Sequence, residues 1–136
     1  MNNAMLASDD ANICDRTATM LTSLGWEVYV ISAEELLHDN LSVEVPQLIL
    51  VDIEMKNGVG FDLILRARRR FPDAFIIAAT RGGDRDLWPG LVDMCGADRY
   101  LVGPVSKSKI AGQIDVAMSR GQLHESTPIT LVSSGC

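Results

Sequence analysis

Short runs of apolar residues alternate with segments of helical periodicity five times along the chain. The runs at 26–31 and 48–51 are rich in β-branched residues, which favour strands. The runs at 48–51 and 74–79 are apolar at every position, as expected for the buried centre of a parallel sheet. The five predicted strands lie at about residues 5–7, 26–31, 48–51, 74–79 and 100–102.

Apolar residues at helical spacing follow each predicted strand. The first helix contains Ile13, Thr17 and Leu21 and is expected to end at Gly25. The second begins at Ser32, with a capping box. The third helix is marked by Phe61, Ile64, Leu65 and Arg68, and the fourth by Leu87, Leu91, Met94 and Cys95. The fifth follows a Ser106 cap and is marked by Ile110, Ile114, Ala117 and Met118.

This alternation predicts one α/β domain, a five-stranded parallel sheet with helices on both faces. Five βα units with such short connections favour that architecture. The 136 residues are enough for one domain of this kind. Residues 1–120 are assigned to the domain, and the polar residues 121–136 to a tail or the start of a linker.

Charge and hydropathy exclude several classes of protein. Acidic residues outnumber basic ones 18 to 12, for a net charge of −6, so direct nucleic-acid binding is not expected. No apolar run approaches the ~18 residues of a membrane span, and the first residues lack the cationic start of a signal peptide. Three widely spaced cysteines are expected to be reduced thiols. We therefore expect a cytoplasmic protein.

Several acidic residues follow predicted strands. Asp9 and Asp10 come after the first strand, Asp52 ends the third, and Glu54 lies two residues further on. In an open parallel sheet, ligands bind at the carboxyl ends of the strands, where clustered carboxylates repel each other unless a cation is present. The pattern favours a Mg²⁺ site. The alternative is that these aspartates cap the helices that follow. Thr80, at the end of the fourth strand, adds a hydroxyl to the same edge.

Together these residues resemble a response-regulator receiver domain, the phospho-accepting module of two-component signalling. The resemblance covers roughly residues 4–120. It is carried by the Asp9-Asp10 pair, LILVD at 48–52, Gly60-Phe61, Thr80, and GADRYLVGP at 96–104. The family has a flavodoxin-like (βα)5 fold with strand order 2-1-3-4-5, which agrees with the pattern above.

The resemblance implies a role for each matched acidic residue. Asp52 would accept a phosphoryl group from a histidine kinase, a phosphotransfer protein or a small phosphodonor, as a nucleophilic carboxylate. Asp10, Asp52 and the main-chain carbonyl of Glu54 would hold Mg²⁺, with Asp9 contributing partly through water. The metal would offset the charge of the acids and of the phosphoryl group.

The resemblance also implies how the signal is transmitted. Thr80 would donate a hydrogen bond to the phosphoryl oxygen, and Tyr100 would be the aromatic switch that moves inward with it. Output would pass through the face formed by the fourth helix, fifth strand and fifth helix, to a partner protein or a fused output domain. The domain would relay a phosphoryl group without being an enzyme.

One position departs from the family pattern. The family has Lys-Pro at the end of the fifth strand, where the lysine pairs with the phosphoryl group, and this chain has Gly103-Pro104. Lys56 and Arg81 are candidates to supply the missing charge, or are simply solvated loop residues. The alternative function is a pseudo-receiver, with the same fold used for protein interaction without phosphorylation.

Two further alternatives fit less well. A phosphatase of the haloacid-dehalogenase type would need an aspartate where Glu54 stands and a longer chain. A flavodoxin-like FMN binder would need a Thr/Gly-rich loop after the first strand.

Two further features have open interpretations. The basic cluster of Arg66, Arg68, Arg69 and Arg70 either complements a helix dipole or forms a docking patch, and Trp88 is either buried or part of an interface.

Overall fold

The computed structural model describes residues 3–32, 45–53, 59–80, 96–102 and 106–119. These residues form five strands and three helices, and the helices correspond to the first, third and fifth predicted helices. The second and fourth predicted helices and residues 121–136 lie outside the described ranges. The elements are β1 Asn3–Ala7, α1 Ala11–Ser23, β2 Glu27–Ile31, β3 Leu48–Asp52, α2 Val59–Arg70, β4 Phe75–Thr80, β5 Arg99–Val102 and α3 Lys107–Ser119.

The strands form one parallel sheet in the order β2-β1-β3-β4-β5, which confirms the predicted topology. β1 lies between β2 and β3, with Ala7 in register with both Ile31 and Val51. Successive strands are added to one side of β1 and then to the other, so the strand order reverses between β1 and β3. At such a reversal, a crevice is expected between the carboxyl ends of the two strands. Ser8 and Asp52, the residues just after Ala7 and Val51, lie at this point of the sheet.

Apolar side chains alternate between the two faces of the sheet; among the described helices, α2 covers one face and α1 and α3 cover the other. All five residues of β3 and all six of β4 are buried, which confirms both as central strands. The helix residues in the two layers are Leu63, Ile64 and Ala67 of α2 on one face, and Cys14, Leu21, Ile110, Ile114 and Ala117 of α1 and α3 on the other. In the part of the chain that is described, no helix is long and apolar enough to cross a membrane.

The ends of the described helices agree with the signals in the sequence. Gly25 follows α1 with a φ of 95°, a conformation that favours glycine, and Ser106 Oγ accepts the Lys109 N–H at 3.3 Å as the N-cap of α3. Phe61, Ile64, Leu65 and Arg68 all lie in α2, as predicted. Leu65 is 36% exposed, whereas Leu63 and Ile64 are fully buried in the core on the face of the sheet that α2 covers.

Arg68 connects the end of α2 to the amino-terminal edge of the sheet. Its guanidinium pairs with the Asp98 carboxylate at 2.7 Å and donates to the carbonyl oxygens of Gly96, Pro72 and Ala74 at 2.8–2.9 Å. Of the predicted basic cluster, this arginine therefore has a structural role. Three other members, Arg66, Arg69 and Arg70, are exposed, and a docking role for them stays a prediction.

Candidate functional site

Asp52 is the buried carboxylate at the carboxyl end of the central strand. It is the last residue of β3 and only 3% exposed. Its backbone is fixed because it lies in register with Ala79 of β4 and the next residue, Ile53, donates its N–H to the Ala79 carbonyl at 2.9 Å. Burying a carboxylate is costly unless hydrogen bonds or a cation stabilise it. Asp52 is therefore the strongest candidate for chemistry in this edge.

Ser8 supplies a hydrogen bond to that carboxylate. Its hydroxyl donates to Asp52 Oδ2 at 3.0 Å, and Ser8 itself is 9% exposed. The contact follows from topology, since Ser8 and Asp52 come directly after the paired residues Ala7 and Val51 of neighbouring strands. Ser8 is not among the site residues predicted from the sequence. A polar residue directly after a buried strand, next to a strand that ends in aspartate, was the available signal.

Asp10 caps the first helix. Its Oδ1 accepts the N–H groups of Asn12 and Ile13 at 3.0 and 3.2 Å, as an N-cap aspartate does. Its own N–H donates to Ser8 Oγ at 3.2 Å. Asp10 therefore caps α1, whereas Asp52 ends a strand and contacts Ser8. Asp9 is exposed beside them.

Thr80 and Tyr100 lie on the neighbouring strands. Thr80 ends β4, one residue beyond the register partner of Asp52, and is 2% exposed. Tyr100 pairs with Ala78 through the backbone of β5, and its side chain is not described. Other predicted site residues lie outside the described ranges: Glu54, Lys56, Arg81, Trp88 and Gly103.

Gly60 packs directly beneath the site. A Cβ atom at this position would lie 2.5 Å from the Cα of Ile53 and 2.9 Å from the carbonyl oxygen of Asp52. Backbone atoms cannot move aside as a flexible side chain can, so only glycine allows α2 to begin this close to the end of β3. Gly60 of the sequence motif thus has a steric explanation.

The donor chemistry of this edge fits Mg²⁺. The described residues include no group of three or more His, Cys, Asp or Glu side chains placed to hold a metal ion. Magnesium does not need such a group, because it is usually bound by one or two carboxylates together with water and phosphate oxygens. Asp52 and Asp10 supply hard carboxylate oxygens at adjacent strand ends, which meets that requirement.

Comparison with known proteins gives one family. The family model of the response regulator receiver domain matches residues 4–115. The chain is 31% identical over 127 residues to the transcriptional regulatory protein AfsQ1 of Streptomyces coelicolor, covering 93% of this chain and 55% of that protein. It is 27% identical over 133 residues to the transcriptional regulatory protein CreB of Escherichia coli, covering 96% and 56%. The chain thus spans about half the length of these relatives.

Solved structures show the same fold. A CheY-like response regulator receiver domain protein from Methanospirillum hungatei superimposes with a TM-score of 0.75 at 24% identity, over 88% of this chain and 95% of that one. A receiver domain protein from Clostridium thermocellum gives 0.75 at 22% identity, over 90% and 98%. The family match, the strand order and the placement of Asp52 agree, and the chain belongs to the response regulator receiver domain family.

Proposed function

We propose that this receiver domain accepts a phosphoryl group on Asp52 in a two-component relay, from a histidine kinase or a phosphotransfer protein. The observation that carries the proposal is the position of Asp52, buried at the carboxyl end of the central strand. Its neighbours there are polar: Ser8 and Asp10 follow β1, and Thr80 ends β4. A fixed, partly desolvated carboxylate surrounded by hydrogen-bonding groups is suited to nucleophilic attack.

The proposed reaction is a direct displacement at phosphorus. A carboxylate oxygen of Asp52 attacks the phosphorus of a phosphohistidine, and an O–P bond forms as the N–P bond breaks. The bonding electrons return to the imidazole nitrogen of the donor. The Thr80 hydroxyl then donates a hydrogen bond to a phosphoryl oxygen, and we propose that Tyr100 moves inward as the switch. Positioning and charge stabilisation supply most of the catalysis in such transfers.

We propose that Mg²⁺ is held by Asp10, Asp52 and the main-chain carbonyl of Glu54, with Asp9 acting partly through water. When bound, the metal would neutralise the charge that gathers when a phosphate group meets carboxylates. Asp10 can bind a metal and cap α1 together, because an ionised carboxylate has two oxygens and about four lone-pair sites. The hydrogen bonds from Asn12 and Ile13 would then keep that carboxylate in place.

The output of the domain would be a protein contact. We propose that it uses the face formed by the predicted fourth helix, β5 and α3, and that it reaches a partner protein or a fused output domain. Two relatives of about twice the matched length are named transcriptional regulatory proteins, which supports an output in transcriptional regulation. We place the protein in the cytoplasm, where kinases and phosphotransfer proteins of this kind act.

The second candidate is a pseudo-receiver that acts by protein interaction without phosphorylation. Gly103 favours it, because the family has at that position a lysine that pairs with the phosphoryl group. A charge-assisted contact of this type stabilises by about 1.5–3 kcal/mol, so its absence would weaken the phosphorylated state. Phosphorylation itself distinguishes the two candidates.

The test is phosphorylation by acetyl phosphate and Mg²⁺, followed by intact mass spectrometry. The unsubstituted protein should gain the mass of one phosphoryl group, and Asp52→Asn should gain none. Asp98→Asn is the matched control, since it removes the charge of an acidic residue that directly precedes β5, at the opposite end of the strands. This variant should gain the phosphoryl group. If neither this donor nor a phosphohistidine protein modifies the unsubstituted protein, the pseudo-receiver is correct.

A further inference from the structure

We propose that Ser8 is a positioning residue for Asp52, whose hydroxyl orients the carboxylate and shortens the lifetime of its phosphorylated state. This inference rests on the proposed function of Asp52. The Ser8 hydroxyl donates to Asp52 Oδ2 at 3.0 Å, and both residues are buried. Nothing in the proposed role of the acidic residues, Thr80 or Tyr100 accounts for this contact.

The direction of the Ser8 hydrogen bond is fixed by its second partner. The Asp10 N–H donates to Ser8 Oγ at 3.2 Å and so occupies an acceptor position of the hydroxyl. An ionised carboxylate has no proton to donate, so the single hydroxyl proton points at Asp52. A short chain of hydrogen bonds therefore runs from the backbone N–H of Asp10, through the Ser8 hydroxyl, to the carboxylate of Asp52.

The backbone of Ser8 is also held from both sides. Ala7, the preceding residue, is in register with β2 and β3. The thiol of Cys14 in α1 lies 3.5 Å from the Ser8 carbonyl oxygen and donates to it. Burial raises the pKa of Cys14, which keeps the thiol protonated and able to donate. Since its backbone is fixed by strand and helix, Ser8 offers Asp52 a preorganised donor.

A preorganised donor on one oxygen has a consequence for the reaction. We place the phosphoryl group on the other oxygen of the carboxylate. When water hydrolyses the product, it attacks phosphorus, the O–P bond breaks, and the electron pair returns to the carboxylate of Asp52. Both protons of the water leave with inorganic phosphate. Negative charge thus builds on the oxygens of Asp52 in the transition state.

The Ser8 hydrogen bond strengthens as that charge builds. A hydrogen bond to an ionised acceptor is roughly twice as strong as one between neutral groups, and the acyl phosphate offers only a neutral carbonyl oxygen to Ser8. The hydroxyl therefore stabilises the transition state of hydrolysis more than the phosphorylated state. Its removal should lengthen the lifetime of phosphorylated Asp52 by about three- to tenfold.

The test compares Ser8→Thr with Ser8→Val, because the two side chains have nearly the same shape and only threonine keeps the hydroxyl. Each variant is loaded with acetyl phosphate and Mg²⁺, the donor is removed, and the decay of the phosphorylated mass is followed. Ser8→Val should decay about three- to tenfold more slowly than the unsubstituted protein, and Ser8→Thr within about twofold of it. Ser8→Ala, which adds no volume, should behave as Ser8→Val.

Ser23→Ala is the matched control. It removes a serine hydroxyl that donates to the Met20 carbonyl at the far end of α1, and it should not change the decay. Equal decay of the Ser8→Thr, Ser8→Val and Ser8→Ala proteins would overturn the proposal while leaving the function of Asp52 intact. If the unsubstituted protein takes up no phosphoryl group, the proposed function fails and the role of Ser8 fails with it.

Discussion

Two aspartates at opposite edges of the same sheet are stabilised in different ways. At the amino-terminal edge, Asp98 pairs with Arg68 at 2.7 Å and accepts the Ile76 N–H at 2.8 Å, so a full positive charge faces it. At the carboxyl edge, the more deeply buried Asp52 accepts from the neutral hydroxyl of Ser8 at 3.0 Å. The first acid is neutralised by the fold itself.

The difference suggests which of these two edges of the sheet stabilises the fold and which is suited to bind a ligand. An ion pair with several hydrogen bonds holds two elements together and leaves little for a ligand to add. A buried carboxylate beside a neutral donor is stabilised further by a cation that offsets its charge, such as the proposed Mg²⁺. The Arg68–Asp98 contacts therefore have a structural role, and the proposed phosphoryl transfer belongs to the carboxyl edge around Asp52. Mutation can separate the two.

Arg68→Ala should have the largest effect on stability. It removes the donors for three carbonyl oxygens and leaves Asp98 without its countercharge, so the free energy of unfolding should fall by about 2–4 kcal/mol. Arg69→Ala, a change at an exposed arginine next to it on α2, should alter the free energy by less than about 0.5 kcal/mol. Urea unfolding at pH 7 measures both.

The rate of Asp52 phosphorylation provides the second half of this test. In the folded Arg68→Ala protein it should stay close to that of the unsubstituted protein, because Arg68 lies at the other edge. A stability loss no larger than that of Arg69→Ala would show that the Arg68 contacts contribute little. A selective loss of phosphorylation would show that the two edges are coupled.

Gly60→Ala should disturb the carboxyl edge. The new Cβ would clash with the backbone of Ile53 and Asp52, so we expect a loss of about 1–3 kcal/mol together with slower phosphorylation. Gly112→Ala is the matched control, since Gly112 lies in α3 with nothing within 4 Å of an added Cβ. That change should instead stabilise the protein by about 0.5–1 kcal/mol. Equal effects of the two substitutions would refute the close approach at Gly60.

Asp10 substitutions should separate capping from metal binding at that same edge. Asp10→Ala removes the N-cap and should cost about 1 kcal/mol, whereas Asp10→Asn keeps an N-cap oxygen and should cost less than half of that. Both should raise the Mg²⁺ concentration needed for phosphorylation, because both remove the charge. If Asp10→Asn leaves the Mg²⁺ dependence unchanged, capping is the whole role of this residue.

The sequence predicts the frame of the molecule well and the contacts of the site poorly. The apolar runs at 48–51 and 74–79 identify the two central strands, since alternation and burial leave few other arrangements. The helix signals at Gly25 and Ser106 are local and are found where expected. Periodicity alone does not say which apolar residue of a helix stays exposed, as Leu65 does.

The site shows the same division between local pattern and tertiary contact. Asp52 and Thr80 follow from their places at strand ends, and the receiver motif strengthens both. The Ser8–Asp52 hydrogen bond spans 44 residues and depends on the pairing of β1 with β3, so no local pattern contains it. The role of Arg68 was hidden for the same reason, because its partner Asp98 lies 30 residues away and a run of arginines resembles a helix end.

The most direct test of the central claim is to locate the phosphoryl group by peptide mapping after reaction with acetyl phosphate, with and without Mg²⁺. We expect one modified site, Asp52, formed when Mg²⁺ is present and strongly reduced when EDTA removes it. Asp98, the acid at the opposite edge, should remain unmodified throughout. A phosphoryl group on another residue, or one that persists in Asp52→Asn, would contradict the assignment of phosphoryl transfer to the carboxyl edge of the sheet.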